Sequence, residues 1–245
     1  MLNEPTYQAL CEMKLIGMAN AWREQQKNPE FTSMAFDERF AMLAEAEKIY
    51  RLNQRIKRSL RAAKLKQSHA CIEDIEYAAK RELDKAVMRQ LATCRWVTEH
   101  QTVIVTGATG TGKTFIACAL AQQAMRQGFR ALYRRANRFF AELLAAHADG
   151  SYPRLLQKYS KLDVLIIDDF AKGTITEQQR KDLDEVLDDR YGERSTIIAS
   201  QVPTRQWHDY LADPTTADAI CERLLHRAHK ITLKGPSRRK EELAE

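Results

Sequence analysis

The chain is predicted to be an α/β protein, a parallel sheet covered by helices, preceded by a small all-α domain. Three observations carry this. Short apolar or β-branched runs at 102–105, 131–134, 163–167, 195–200 and 229–233 alternate with helically spaced stretches at 113–127, 137–148, 151–160 and 176–191. Such alternation builds a parallel sheet with helices on both faces. Residues before about 70 show helical periodicity alone. The first apolar run also leads straight into a glycine-rich turn, GATGTGKT at 107–114. The expected domains are 1–70, helical, and 71–245, α/β.

The elements follow in order. Residues 6–28 read as one or two short helices bent near Gly17, and Pro29 marks a break. A long helix opens at 33–37 and runs to about Lys66. Met42, Ile49, Leu52, Ile56, Leu60 and Ala63 form its apolar stripe, expected to pack the small domain, with basic residues opposite. Residues 67–77 read as an irregular connector. Helical spacing resumes over 78–99 through Leu83, Val87 and Leu91.

Charge is unevenly placed. The net charge is +6; residues 1–70 hold 12 basic and 8 acidic side chains, the remainder 27 and 25. The stretch 48–66 carries eight Lys or Arg among nineteen residues and no acid. A basic part on a near-neutral body suggests a nucleic acid or another acidic partner. No apolar run is long enough to span a membrane, and the N-terminus lacks a secretory pattern, so a cytoplasmic protein with no membrane partner is expected. The five cysteines are scattered without a CxxC pair, which speaks against disulfides and a cysteine metal site. His226 and His229 form a lone HxxH and read as structural.

GATGTGKT fits G-x-x-x-x-G-K-[ST], the phosphate-binding loop. Gly107, Gly110 and Gly112 let the backbone turn tightly, so that its N–H groups, with those of Ala108, Thr109 and Thr111, face phosphate oxygens. The helix beginning at Lys113–Thr114–Phe115 adds the positive end of its dipole. Lys113 is expected to reach the β- and γ-phosphates, and the Thr114 hydroxyl to ligate Mg²⁺. The cofactors implied are ATP and Mg²⁺. LIIDDF at 165–170 supplies the second strand end: Asp168 for the metal, Asp169 to orient the attacking water. Asp is one methylene shorter than the Glu of many motor ATPases, so slow turnover is expected. ASQVP at 199–203 places Ser200 and Gln201 beside the γ-phosphate from another strand.

Together these features resemble the AAA+ ATPases of the initiator and helicase-loader group, and most closely the IstB family of insertion-sequence helpers. The resemblance rests on LIGMANAWREQ (15–25), AFDERFAMLAEAEKIYR (35–51), ELDKAVMRQLATCRWV (82–97), GATGTGKTFIA, DVLIIDDFA, STIIASQVP and CERLLHRAHKITLKG, in that order. It implies an AAA+ core in which the twelve residues after Leu233 are too few for a C-terminal helical lid. Gln201 takes the sensor-1 place. Arg223 falls at the arginine finger that acts on a neighbouring subunit's nucleotide, with Arg227 one turn further as the fallback. Arg239 lies near the family's C-terminal nucleotide-contacting arginine. A finger acting in trans makes one subunit's ATP part of the next interface, so ATP favours a homo-oligomer, a ring or a filament.

Two regions are candidates for DNA. Arg51, Arg55, Arg58 and Arg61 lie along the long helix, where they would hold phosphates without reading sequence. Arg134, Arg135 and Arg138 open the extra helical segment typical of the initiator group. Few aromatics are interleaved, which favours duplex over single-stranded DNA. The function expected is an ATPase that assembles on duplex DNA and delivers it to a cognate transposase. A helicase loader and a nucleotide-gated scaffold with little hydrolysis are the alternatives.

Overall fold

The structure, a computed structural model, describes residues 3–77 and 81–237. It divides into two compact units at Arg58/Ser59, earlier in the chain than the 70/71 boundary expected from the sequence.

The first unit holds α1 (Asn3–Glu12), α2 (Ile16–Lys27), a 3₁₀ turn (Pro29–Ser33) and the larger part of α3 (Phe36–Ala63). The expected bend near Gly17 lies earlier. Lys14 takes φ 60° between α1 and α2, while Gly17 sits in the first turn of α2. Its role is packing. A Cβ there would lie 2.5 Å from Tyr50 Cβ and 2.7 Å from the Ala46 carbonyl oxygen, so α2 and α3 approach only because the side chain is missing. The contact turns α3 over relative to expectation. Leu43 and Glu47 are buried and Ala46 and Tyr50 half-buried, whereas Met42, Ile49 and Leu52 of the predicted packing stripe are 44%, 49% and 48% exposed. Glu47 is tolerated because it accepts from the Met18 N–H at 3.1 Å and pairs with Arg51 at 2.7 Å. Burial alone would push its carboxyl up; those donors outweigh it and hold it below the ordinary value.

In the second unit α3 ends at Ala63, three residues short of the expected Lys66, and an irregular connector follows. Then come α4 (Lys85–Ala92), α5 (Arg95–Thr98), β1 (Val103–Gly107), α6 (Lys113–Arg126), β2 (Ala131–Arg135), α7 (Ala136–Asp149) and α8 (Tyr152–Ser160). The chain continues through β3 (Val164–Phe170), α9 (Glu177–Asp188), β4 (Ser195–Ser200), α10 (Trp207–Leu211), α11 (Pro214–Leu225) and β5 (His229–Leu233). The five strands form one sheet in the order β2-β3-β4-β1-β5, parallel throughout.

Period-two alternation distributes the core. Val103 and Val105, Val164 and Ile166, Ile197 and Ala199 point to one face, where α4, α5 and α6 cover them. Ile104, Leu165, Ile167 and Ile198 point to the other, under α7 to α11. A sheet buried on both faces needs strands apolar at every position, which is why these runs do not alternate with polar residues. Functional groups are therefore displaced to the strand ends, and the loops after β1 and β3 become neighbours at one edge of the layers.

Candidate functional site

The loop after β1 is shaped by glycines that no other residue could replace. Gly110 and Gly112 take φ 84° and 93°. A Cβ on Gly107 would lie 2.4 Å from the Leu233 carbonyl oxygen. Lys113, only 7% exposed, folds back so that Nζ donates to the Ala108 carbonyl at 2.7 Å, spanning the loop. Arg81 braces the loop from outside. Its guanidinium donates to the carbonyls of Thr111 at 2.7 Å and Glu76 at 2.9 Å.

The end of β3 meets this loop. Asp168, 1% exposed, places Oδ2 where it accepts from Thr114 Oγ1 at 2.8 Å and from Tyr133 Oη at 2.6 Å. Burial first, and the Asp168 carboxylate second, push the Tyr133 phenol far up, so it stays a donor. The β3–β4 register shifts between Ile167 and Phe170. That bulge, with Asp169 at φ 56°, re-aims Asp169 out of the strand alternation. Asp169 ends 29% exposed, with Arg135 of the adjacent β2 at 3.7 Å. Just past β4, Gln201 Oε1 accepts from Thr109 Oγ1 at 2.7 Å, tying the end of that strand to the loop. Ser200 does not share that role: it is fully buried, and its hydroxyl is spent on the Phe170 carbonyl.

These groups line a cavity of about 530 Å³, a size suited to a small-molecule ligand. Lys113, Thr114, Phe115, Asp169 and Gln201 all face it, as the sequence suggests. Sequence reasoning missed its other wall: Gln67, His69, Asp74 and Glu76 of the connector, with Arg135 and Lys172. The connector carries no periodicity and no motif, so no sequence signal marks it. Tyr133 was missed too, although its place in β2, beside β3, was open to inference from the strand pairing.

A second cavity, of about 270 Å³, lies at the opposite ends of the strands and is lined by Arg190, Arg194, Arg223, His226 and Arg227 among others. Arg223 is held there by two carboxylates of α9, Asp184 and Asp188, each at 2.7 Å. Arg227 takes φ 54° just past α11 and makes no ion pair among those described.

The profile of the family described as IstB-like ATP binding protein matches residues 8–245. The chain belongs to the IstB-like ATP-binding family. An insertion-sequence protein named for ATP binding in Sinorhizobium fredii is 41% identical over 240 residues, 98% of each chain. One from the insertion sequence IS1162 of Pseudomonas fluorescens is 44% identical over 204 residues, 83% of this chain and 88% of the other. Among solved structures, DnaI superposes with TM-score 0.58 at 20% identity, covering 68% of this chain and 92% of that one. The DnaC helicase loader does so at 0.56 and 18%, covering 67% and 97%. The replication initiator DnaA, bound to AMPPCP and single-stranded DNA, reaches 0.57 at 18%, covering 71% and 54%. The fold is thus that of an AAA+ P-loop core, as the motifs predict.

In this IstB-like chain the expected DNA arginines separate into different environments. Arg134 requires correction: its side chain is 6% exposed, paired with Glu142 at 2.8 Å and bonded to the Tyr133 carbonyl, so no phosphate can reach it. Burial raises the Glu142 carboxyl, but Arg134 and Tyr159 hold it below its ordinary value. Arg135 is exposed but lines the cavity at the P-loop and lies 3.7 Å from Asp169. Arg138 is exposed. Arg51, Arg55, Arg58 and Arg61 are all exposed on α3, though Arg51 is tied to Glu47 and Lys48 to Glu45, acids that lie just before the basic stretch. Arg239 lies outside the described residues. No helix of the described residues is long and apolar enough to cross a membrane.

Proposed function

We propose that the protein is a Mg²⁺-dependent ATPase that assembles on duplex DNA and presents it to the transposase of its insertion sequence, in the bacterial cytoplasm. The observation that carries the ATPase part is the shared oxygen of Asp168. One buried carboxylate joins the first residues of the P-loop helix to the end of β3, and it leaves Asp169 re-aimed beside them.

A hydroxyl and a carboxylate 2.8 Å apart are an oxygen donor set suited to a hard divalent cation, so Thr114 and Asp168 would hold Mg²⁺. Bound there, Mg²⁺ would offset charge on the β- and γ-phosphate oxygens. Lys113 and the loop N–H groups bind and orient the triphosphate. Asp169 positions the attacking water and takes its proton. Gln201, fixed by Thr109, bounds the γ-phosphate side. The trans cation belongs to another subunit's site, because Arg223 and Arg227 lie at the far ends of the strands from this chain's own P-loop.

Two findings support transposition over helicase loading. The relatives matched along nearly the full chain are insertion-sequence proteins, while the likeness to the loader structures lies at 20% identity or less. The test is phosphate release with and without duplex DNA. DNA should stimulate it, and Asp169→Asn should lower it roughly a hundred-fold while ATP still binds. Undiminished release by the variant would sink the assignment of Asp169. Preferential capture of a replicative helicase over the transposase would favour the loader reading.

A further inference from the structure

The cavity at the N-terminal ends of the strands, about 270 Å³, is lined by four guanidinium groups, Arg190, Arg194, Arg223 and Arg227, and by one carboxylate, Glu99. Asp184 and Asp188 settle Arg223. The other three arginines make no ion pair among the described residues. Arg190 is fully buried, and its guanidinium donates only to neutral groups: the carbonyls of Tyr159, Leu162 and Ser195, and Thr196 Oγ1. Asp163, the acid that acts on it, is engaged by Arg130 at 3.5 Å. Burial first, and the charge of Arg194 second, pull the pKa of Arg190 down to about 9. Arg194 is half-buried. Its Nη1 donates to the Glu193 carbonyl, and its Nε is closed to solvent with no acceptor among the described residues. Buried donors in folded chains are nearly always paired, and a buried cation without a counter-charge is costlier still.

We infer that this cavity is a seat for a phosphate-type oxyanion, inorganic phosphate itself, held between Arg194 and Arg227 and within the field of Arg190. Charge selects a dianion: two guanidiniums without a counter-charge, with a third buried beside Arg194, are more than a single carboxylate can answer. Direction selects a tetrahedral ion. Arg194 lies in the turn between α9 and β4, and Arg227 follows α11 at φ 54°, so the donors arrive from separate segments and suit oxygens that diverge. Size selects a small one. The cavity has about half the volume of the one at the P-loop, room for an ion and its waters rather than a nucleoside triphosphate. The anion would supply the acceptor that Arg194 Nε does not find within the chain. Phosphate is also the product of the hydrolysis proposed above. On that reading, which this consequence alone requires, accumulating product would draw Arg227 into its own chain.

The test is equilibrium dialysis of radiolabelled inorganic phosphate against the full chain carrying Lys113→Ala, which removes the P-loop as a competing phosphate site. One phosphate should still bind per chain. Adding Arg194→Gln or Arg227→Ala should each weaken it at least about ten-fold, through loss of a charge-assisted hydrogen bond. Arg227 is exposed, so its variant keeps the test valid should Arg194→Gln fail to fold. In phosphate-free buffer Arg194→Gln should melt no lower than its parent, because one of two repelling cations is gone. Phosphate should raise the parent's melting midpoint by several degrees more than chloride at equal ionic strength, and should leave that of Arg194→Gln where it was. No binding by the Lys113→Ala chain, or a rise no larger than chloride gives, overturns the seat. So does parental affinity in either arginine variant. A 5′-phosphorylated oligonucleotide that displaces the label at lower concentration than free phosphate overturns the assignment to the free ion and gives the cavity to a nucleic-acid phosphate. Absence of ATP hydrolysis by the wild-type chain would sink the ATPase reading and leave the dialysis result untouched, so the two fail separately.

Discussion

The two ends of the sheet differ in whether their charged groups find partners within the chain. At the C-terminal ends of β1 and β3, polar groups converge on a cavity and are already bonded to one another: Lys113 to its loop, and Thr114 and Tyr133 to Asp168. At the N-terminal ends lies a cavity rich in cations. One of them, Arg190, is fully buried; desolvation lowers its pKa to about 9, and it is held by backbone carbonyls and Thr196. Arg223 is locked by two carboxylates, and among the described residues Arg227 alone of the pair is uncommitted. A site that finds its partners within the chain can be built by folding. A cation left without one points to a partner from outside. Arg223 is therefore better read as a brace, and Arg227 as the group offered to a neighbour.

The contrast stands or falls on separating the two arginines. Arg227→Ala should lower DNA-stimulated hydrolysis by roughly a hundred-fold or more, in the range of trans-acting arginines, with ATP binding and thermal stability unchanged. Arg223→Ala should instead destabilise the fold, since Asp184 and Asp188 would face each other unpaired; burial already pushes the Asp184 carboxyl up. Mixing Arg227→Ala with Lys113→Ala decides whether action is in trans. Each alone should be inactive, and the mixture should recover part of the activity. If Arg223→Ala behaves as predicted for Arg227→Ala, the roles are reversed.

How much of this was legible in the sequence depends on whether a residue's partner is near in the chain. GATGTGKT and LIIDDF carry their chemistry locally, and the groups they name do meet: Thr114 and Asp168 are hydrogen-bonded. The bounds of β4 and β5 are those of the apolar runs themselves. Partners set by tertiary packing were not legible. Periodicity finds the apolar stripe of α3 but cannot say whether this chain covers it; Gly17, by letting α2 sit against Ala46 and Tyr50, turns another face inward. Arg134 and Arg135 are adjacent in sequence and alike in charge. Strand alternation sends one into the fold to Glu142 and the other to Asp169.

A smaller effect concerns the cations along α3. Neutralising Arg55 and Arg58 should weaken duplex binding and reduce the slope of log affinity against log salt by up to about 0.9 for each phosphate left without its arginine. Arg51→Ala alone should change the slope less, because its guanidinium is already engaged by Glu47 at 2.7 Å. A filter-binding titration across salt concentrations reads both. Equal slopes for all variants would remove α3 from the DNA surface and leave Arg138 as the exposed cation to examine.

The smallest effect concerns the C-terminal strand ends, where the groups are satisfied in advance. Tyr133→Phe deletes one of the two side-chain donors to Asp168 Oδ2 and leaves Thr114 in place. A hydrogen bond from a phenol to a carboxylate contributes about 1.5 kcal/mol net. The unfolding free energy should fall by that amount, with the m-value unchanged, because a buried carboxylate is deprived of a donor without a cavity of any size being opened. ATP should still bind, since the loop that holds its phosphates is untouched. If stability falls and hydrolysis does not, Tyr133 serves only to hold Asp168 in place in the folded chain. If hydrolysis falls further than stability explains, the phenol also sets the angle at which Asp168 faces Thr114, and the prepared end of the sheet depends on a residue that belongs to neither motif.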